Sequence, residues 1–466
     1  MTWVFGAHPR LFHLRKERGR MVKRPADPQG RCKATRKPSR IWVNMDSAYG
    51  KGVKDMLHTL IHCCAGLDVH RSLVVATILK SAPDEGLEKK VREFPAFRRS
   101  LQEMARWLKR EDVELAVMES TGIYWKAVFD ALEDEEIEAM VVNARHVKNV
   151  PGRKTDVMDS EWLAELARCG LLRSSFIPPR DIRELRLLTR YRMKLSGILS
   201  GEKNRLHKVL DDCGIRLGAV VSDIDGVSAR EMVRALLDGS SSPKEIARLA
   251  RGKLRNKLDK LELSLDGRIS DRHRMLLEAI TNHIEGLQQQ IQEMDRQVFA
   301  AMEPYAQEWS LLQTIPGMDQ ISAAMLLIEI GVDMSRFGSR ERLSSWAGMC
   351  PGNNESAGKR KSGRSRKGNR YVRAILCEAA NAARKTGSQF KGLYQGLVIR
   401  RGHKRAIIAV GHRILEIVYL LLSRKEPYED PCVDYEALMV KRNAPRWIEA
   451  LRKYGYLGQK AHENAL

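Results

Sequence analysis

Short apolar runs and strict alternation dominate the stretch after residue 60. The segment AGLDVHRSLVVATIL, from Ala65, predicts two strands joined by a turn near His70 and Arg71. VELAVM, 113–118, is a continuous apolar run of the kind a strand buried on both faces shows, and 137–142 predicts another strand. Around these, apolar residues three and four apart predict helices over 97–109 and 122–132. Strand pairs followed by alternating helices and strands imply an α/β sheet covered by helices.

From Pro178 and Pro179 onward the period is helical almost throughout, with helices expected over 181–210, 230–237, 243–263 and 272–302. In the last of these, Ile284, Leu287, Ile291, Met294 and Val298 form a heptad-like stripe. Such a stripe suits an antiparallel hairpin, a dimer seam or packing within one chain. LLQTIPGMDQISAAMLLIEIG, from Leu311, predicts a helix, a Pro-Gly turn and a second helix. In that helix-hairpin-helix shape the backbone amides at Gly317 can meet phosphates, although Pro-Gly turns between helices are common. Helices over 371–385 and 403–422 follow, and the chain from Pro427 shows no readable pattern. The expected fold class is α/β plus all-α. Its divisions are 1–60, an α/β domain over 61–180, a helical or coiled-coil region over 181–305, a mostly helical domain over 306–425 and a tail over 426–466.

Charge changes the picture. The 466 residues carry 81 Lys and Arg against 58 Asp and Glu, a formal +23, with 43% apolar residues. A globular chain with that surplus repels itself unless a polyanion shares its surface, and nucleic acid is the obvious candidate. Residues 1–54 alone hold 14 Lys and Arg against three Asp and Glu, with little hydrophobic periodicity. They read as a basic disordered arm, or as sequence upstream of a true start at Met45 or Met56. None of the eight cysteines forms a C-x-x-C pair, so neither a zinc site nor a disulfide framework is indicated. No apolar run reaches the roughly 18 residues a membrane span needs. The best, 406–422, is broken by His412, Arg413 and Glu416. The expected location is the cytoplasm, at the nucleoid, with no membrane partner.

Candidate chemistry sits in two places. GRKTDVMDSEWLAEL, from Gly152, sets Asp156 and Asp159 three residues apart at the start of an amphipathic helix, on one face. Acids at a helix start have an ordinary explanation, the macrodipole. Asp68, however, interrupts a strand and Glu119 ends one, and strand ends in an open α/β sheet converge on one crevice. Four carboxylates there repel one another unless divalent cations intervene, and all-oxygen ligands suit Mg2+ or Mn2+. The set therefore reads as a nuclease-like metal site for phosphoryl transfer. Arg153 and Lys154 precede it as candidate phosphate contacts, or as a plain solvated turn. The second place is SWAGMCPGNNESAGKRKSGRSRKGNRY, where Ser356 stands ahead of Lys359, Arg360, Lys361, Arg364, Arg366 and Lys367. Flanking cations and a glycine turn can bring a serine hydroxyl to a phosphodiester. A phosphate-gripping loop with an incidental serine fits the same residues.

GLDVH, VMESTGIYW, VPGRKTDVMDSEWLAEL, IPGMDQISAA and SWAGMCPGNNESAGKRKSG occur in that order. Together they resemble the DEDD transposases of the insertion-sequence one-ten family, over about residues 65–422. The resemblance implies an RNase H-like domain, a coiled-coil region and a C-terminal domain with a catalytic serine. It puts the acidic tetrad on Asp68, Glu119, Asp156 and Asp159 and the nucleophile on Ser356, which would form a phosphoserine link to DNA. It further implies double-stranded DNA at element ends and target, an element-encoded guide RNA, and a homo-oligomer, dimer or tetramer. In the family the first aspartate usually lies close to the start, whereas here more than sixty residues precede Asp68. The runner-up reading is a junction-cutting nuclease that uses the tetrad alone; a third is a non-catalytic nucleic-acid-binding scaffold.

Overall fold

A computed structural model describes residues 60–82, 86–120, 122–143, 156–351, 354–356, 359–362, 365, 367–431 and 435–457. The basic arm over 1–54, Arg153, Lys154, Arg364 and Arg366 lie outside the described residues. So do the side chains of Asp156, Ser356, Lys359, Arg360 and Lys361.

The first half is a five-stranded mixed sheet. Its strands are β1 (Cys63–Val69), β2 (Leu73–Ala82), β3 (Gly86–Pro95), β4 (Leu115–Glu119) and β5 (Glu138–Val142), in the order β3-β2-β1-β4-β5. β1, β2 and β3 pair antiparallel, while β4 joins β1 and β5 joins β4 in parallel. The two central strands are apolar on both faces because both are covered. On one face, Leu67, Met118 and Val141 pack with α1 (Arg98–Arg110) and α2 (Trp125–Asp134). On the other, Cys64, Leu115, Val117 and Val142 pack with Leu163, Leu166 and Ala167 of α3 (Asp156–Arg168). β3 falls in a stretch for which the pattern predicts no element. Seven of its first eight positions are exposed, so this edge strand carries charges where a buried one would alternate.

Next come the helices α4 (Arg180–Asp212), α5 (Val227–Asp238), α6 (Pro243–Ala247), α7 (Leu258–Leu265) and α8 (Asp271–Ala301). α4 and α8 run antiparallel: Arg192 pairs with Asp295, Glu202 with His283 and Asp212 with His273. Ile284, Leu287 and Val298 of the predicted stripe are buried. Packing within one chain accounts for them. The single helix expected over 243–263 is instead broken into α6, a 3-10 turn and α7, with Gly252 left-handed at φ 56°.

The last region holds α9 (Ala306–Gln313), α10 (Gln320–Ile330), α11 (Arg340–Trp346), the hairpin β6 (Asn354–Ser356) and β7 (Lys359–Ser362), α12 (Arg370–Ala383), α13 (Gln389–Arg401), α14 (His403–Arg424) and α15 (Tyr435–Lys453). α15 lies in the tail, where the pattern gave nothing. α14 is by length and composition apolar enough to cross a membrane. It is the central helix of the C-terminal core, with Val410, Ile414, Leu415 and Val418 fully buried. Core burial explains its composition.

Candidate active site

Pleat parity decides where the acids point. In β1, Cys64 and Gly66 face α3, so Asp68 does too; in β4, Leu115 and Val117 face α3, and so does Glu119. Leu67 pairs with Met118, so the residues that follow, Asp68 and Glu119, lie side by side at one end of the sheet.

The course of α3 brings its first turn to that end. Arg168 Nη2 donates to Ser81 Oγ at 2.6 Å, and Ser160 Oγ shares a buried 2.7 Å hydrogen bond with Thr77 Oγ1. Eight helical residues, about 12 Å, thus track four strand residues, about 13 Å, and the helix runs antiparallel to β1. Thr77 pairs with Gly66. Four further helical residues reach Asp156, about 6 Å on, alongside the two strand residues from Gly66 to Asp68. Gly66 makes this approach possible. A Cβ there would overlap the Ser160 carbonyl oxygen and stand 2.6 Å from the Ala164 nitrogen.

Asp159 is exposed. Among the described residues no group of three or more His, Cys, Asp and Glu side chains forms a metal cluster, and the Asp156 carboxylate lies outside that set. Asp68 and Glu119, side by side at one sheet end, are oxygen donors of the kind that suits a hard divalent cation. The structure adds a residue that pattern reading passed over as turn: His70 Nε2 lies 2.9 Å from Asp68 Oδ2. The spacing D-x-H in a strand-to-turn position is the signal that could have found it. At the opposite end of β1, burial pushes the Cys64 thiol up to about 12, so it stays protonated at neutral pH.

Ser356 stands on a separate element. The polar stretch expected as a loop forms the antiparallel pair β6–β7, with Ser356 opposite Lys359. The hairpin's root is fixed tightly. A Cβ at Gly368 would overlap the backbone of Ala347 and Gly348, so the two legs touch there. Asn369 Oδ1 accepts from the Tyr371 and Val372 amides, capping α12, and its Nδ2 donates to Glu329 Oε2 at 2.6 Å. Glu329, 1% exposed, also takes Arg190 bidentately, Nε at 2.7 Å and Nη2 at 2.9 Å. The serine hairpin is thereby tied through α10 to α4. Lys367 at its base is exposed. Gly317 has φ 86°, and a Cβ there would press on the Ala379 oxygen and Ala383 nitrogen of α12 at 2.5 and 2.6 Å. Internal packing therefore explains why this turn carries glycine.

Comparison with known proteins gives the frame. A family model described as "Transposase", of the DEDD type of IS110, matches residues 65–215. A second, described as "Transposase IS116/IS110/IS902 family", matches 309–395. The transposase for insertion sequence element IS1111A of Coxiella burnetii is 31% identical over 122 residues, 25% of this chain and 33% of that protein. The chain thus spans about a third of the length of that curated relative. Among solved structures, Thermus thermophilus RuvC matches at 12% identity over 24% of this chain and 99% of its own, with a TM-score of 0.20. RuvC in complex with a Holliday junction substrate matches at 14%, with the same coverage and TM-score. With both family models matched in order along it, the chain belongs to the IS110 family of transposases.

Proposed function

We propose that this chain is a DNA recombinase that excises and inserts a mobile element, using Ser356 as nucleophile and the acids of an RNase H-like sheet as its second half-site. The observation that carries the reading is the antiparallel course of α3 over Gly66, which brings the turn bearing Asp156 and Asp159 to the strand ends bearing Asp68 and Glu119. Mg2+ or Mn2+ held by these four carboxylates would neutralise the charge of a scissile phosphate. Asp68 is held in place by His70.

In the reaction, Ser356 Oγ attacks a DNA phosphorus. The Oγ–P bond forms, the P–O bond to one sugar breaks, and the released sugar oxygen takes up a proton. A hydroxyl of the exchanged strand then attacks the phosphoserine, restoring the serine and closing the new phosphodiester. Cations on the hairpin strand opposite Ser356, starting with Lys359, are suited to the phosphate charge. The net charge of +23 fits a chain that holds duplex DNA together with an element-encoded guide RNA. A homo-oligomer would allow serine and acids of different copies to meet on one junction.

A plasmid recombination assay tests this. Ser356→Ala is expected to reduce recombination at least about a thousandfold and to abolish the covalent protein–DNA adduct on denaturing gels. Asp156→Asn should fall as far. Recombination by Ser356→Ala at the native rate sinks the serine mechanism. Junction cutting that survives Ser356→Ala but not Asp156→Asn favours the nuclease reading instead.

A further inference from the structure

Helices α2 and α4 lie against each other as a ladder of charges. Arg180 Nη2 meets Asp134 at 2.6 Å; Arg183 Nη2 meets Asp130 at 2.7 Å and Glu133 at 2.6 Å, and its guanidinium caps the Phe129 ring at 5.0 Å. One turn further along both helices, the ladder changes sign. Lys126 stands one turn before Asp130 on α2, while Arg186 and Arg190 follow Arg183 by about one and two turns on α4. Its ammonium is pulled below the usual lysine range, first by burial and then by Arg190, with Arg186 and Arg183 adding to the effect and Asp130 alone opposing it. Asp130 is already bonded to Arg183.

The place matters. β4, α2 and β5 form a parallel crossover, so the N-terminus of α2 lies at the sheet end where Glu119 stands. On the other side, Arg190 stacks on the Tyr371 ring at 4.5 Å, and Arg370 covers the same ring at 4.7 Å while donating to its hydroxyl. Arg370 and Tyr371 open α12, immediately after the root of the serine hairpin. Arg190 bonds Glu329 through Nε and Nη2, which leaves Nη1 to point elsewhere. Lys126 thus lies near the start of α2, at the acidic sheet end, while Arg190, Arg370 and the Tyr371 ring stand together beside the root of the hairpin.

We propose that Lys126, Arg190 and Arg370 seat a phosphate of a DNA strand passing from the acidic sheet end to the root of the Ser356 hairpin, with Tyr371 holding the two arginines in place. The inference rests on the DNA-recombining reading, but its test does not require chemistry. Binding of a fluorescein-labelled DNA duplex by the full chain is followed by anisotropy across a range of salt, on a Ser356→Ala background. Lys126→Met is expected to weaken binding about tenfold, as loss of a charged hydrogen bond does. The slope of log K against log salt should shrink by about 0.9. Its melting temperature should hold or rise, because a cation repelled by other cations has been removed. Lys126→Arg should keep native affinity, and Arg370→Met, at an exposed site, should weaken binding like Lys126→Met. Native affinity and slope in both Met variants overturn the proposal. So does weaker binding that tracks a fall in melting temperature, or a loss confined to RNA. None of these outcomes bears on whether Ser356 is the nucleophile.

Discussion

At the scale of single residues, Gly66 carries as much of the site as any acid. It sits on a central strand, where a glycine weakens the strand itself and is kept for close approach of another backbone. Here that backbone is the Ser160–Ala164 turn of α3. Gly66→Ala should cost about 2–3 kcal/mol by overpacking, read from urea unfolding. It should also weaken Mn2+ binding in titration calorimetry, because the helix start moves off the strand ends. Native cation affinity in that variant would mean the four acids do not act together. Glu329 shows another residue-scale effect. A carboxylate 1% exposed is tolerable because Arg190 and Asn369 satisfy both of its oxygens.

Elements show how the domains are joined. The α2–α4 ladder locks the sheet to the long helix, and Glu329 locks that helix to the C-terminal helices. Within the ladder, the hydrogen bond from Arg183 holds the Glu133 carboxyl below its ordinary 4.5. A depressed carboxylate contributes stability above its unfolded pKa and loses it as pH falls through the folded value. Glu133 is 37% exposed, so solvent screening limits the contribution to at most about 1 kcal/mol. Glu133→Gln should therefore lower stability slightly at pH 7 and be indistinguishable from the native chain once the pH is below the folded value. Urea midpoints across that range would show it; an equal loss at both ends would assign the effect to packing. Three of the elements missed along the sequence share a cause. β3 is an exposed edge strand, the β6–β7 hairpin is held at its root by contacts with α10 and α11, and α15 is largely exposed. None has the buried, regular face that produces a hydrophobic period.

For the whole molecule, charge and topology act together. A surplus of +23 spread over a chain with several cores predicts DNA affinity dominated by phosphate contacts. The apparent association constant should therefore fall steeply and linearly on a log–log plot between low and physiological salt. A flat response would count against a backbone-tracking surface. Composition and periodicity by themselves determined the sheet's central strands, the long α4 and α8, the apolar α14 and the acids at strand ends and helix start. Those features are written locally, as apolar period and as carboxylates placed where an apolar run breaks. Tertiary structure alone decided that α3 runs antiparallel over Gly66, that His70 reaches Asp68, that Gly317 faces α12, and that Arg190 stacks on Tyr371. Each of these depends on which distant segments meet, and a one-dimensional pattern carries no distances.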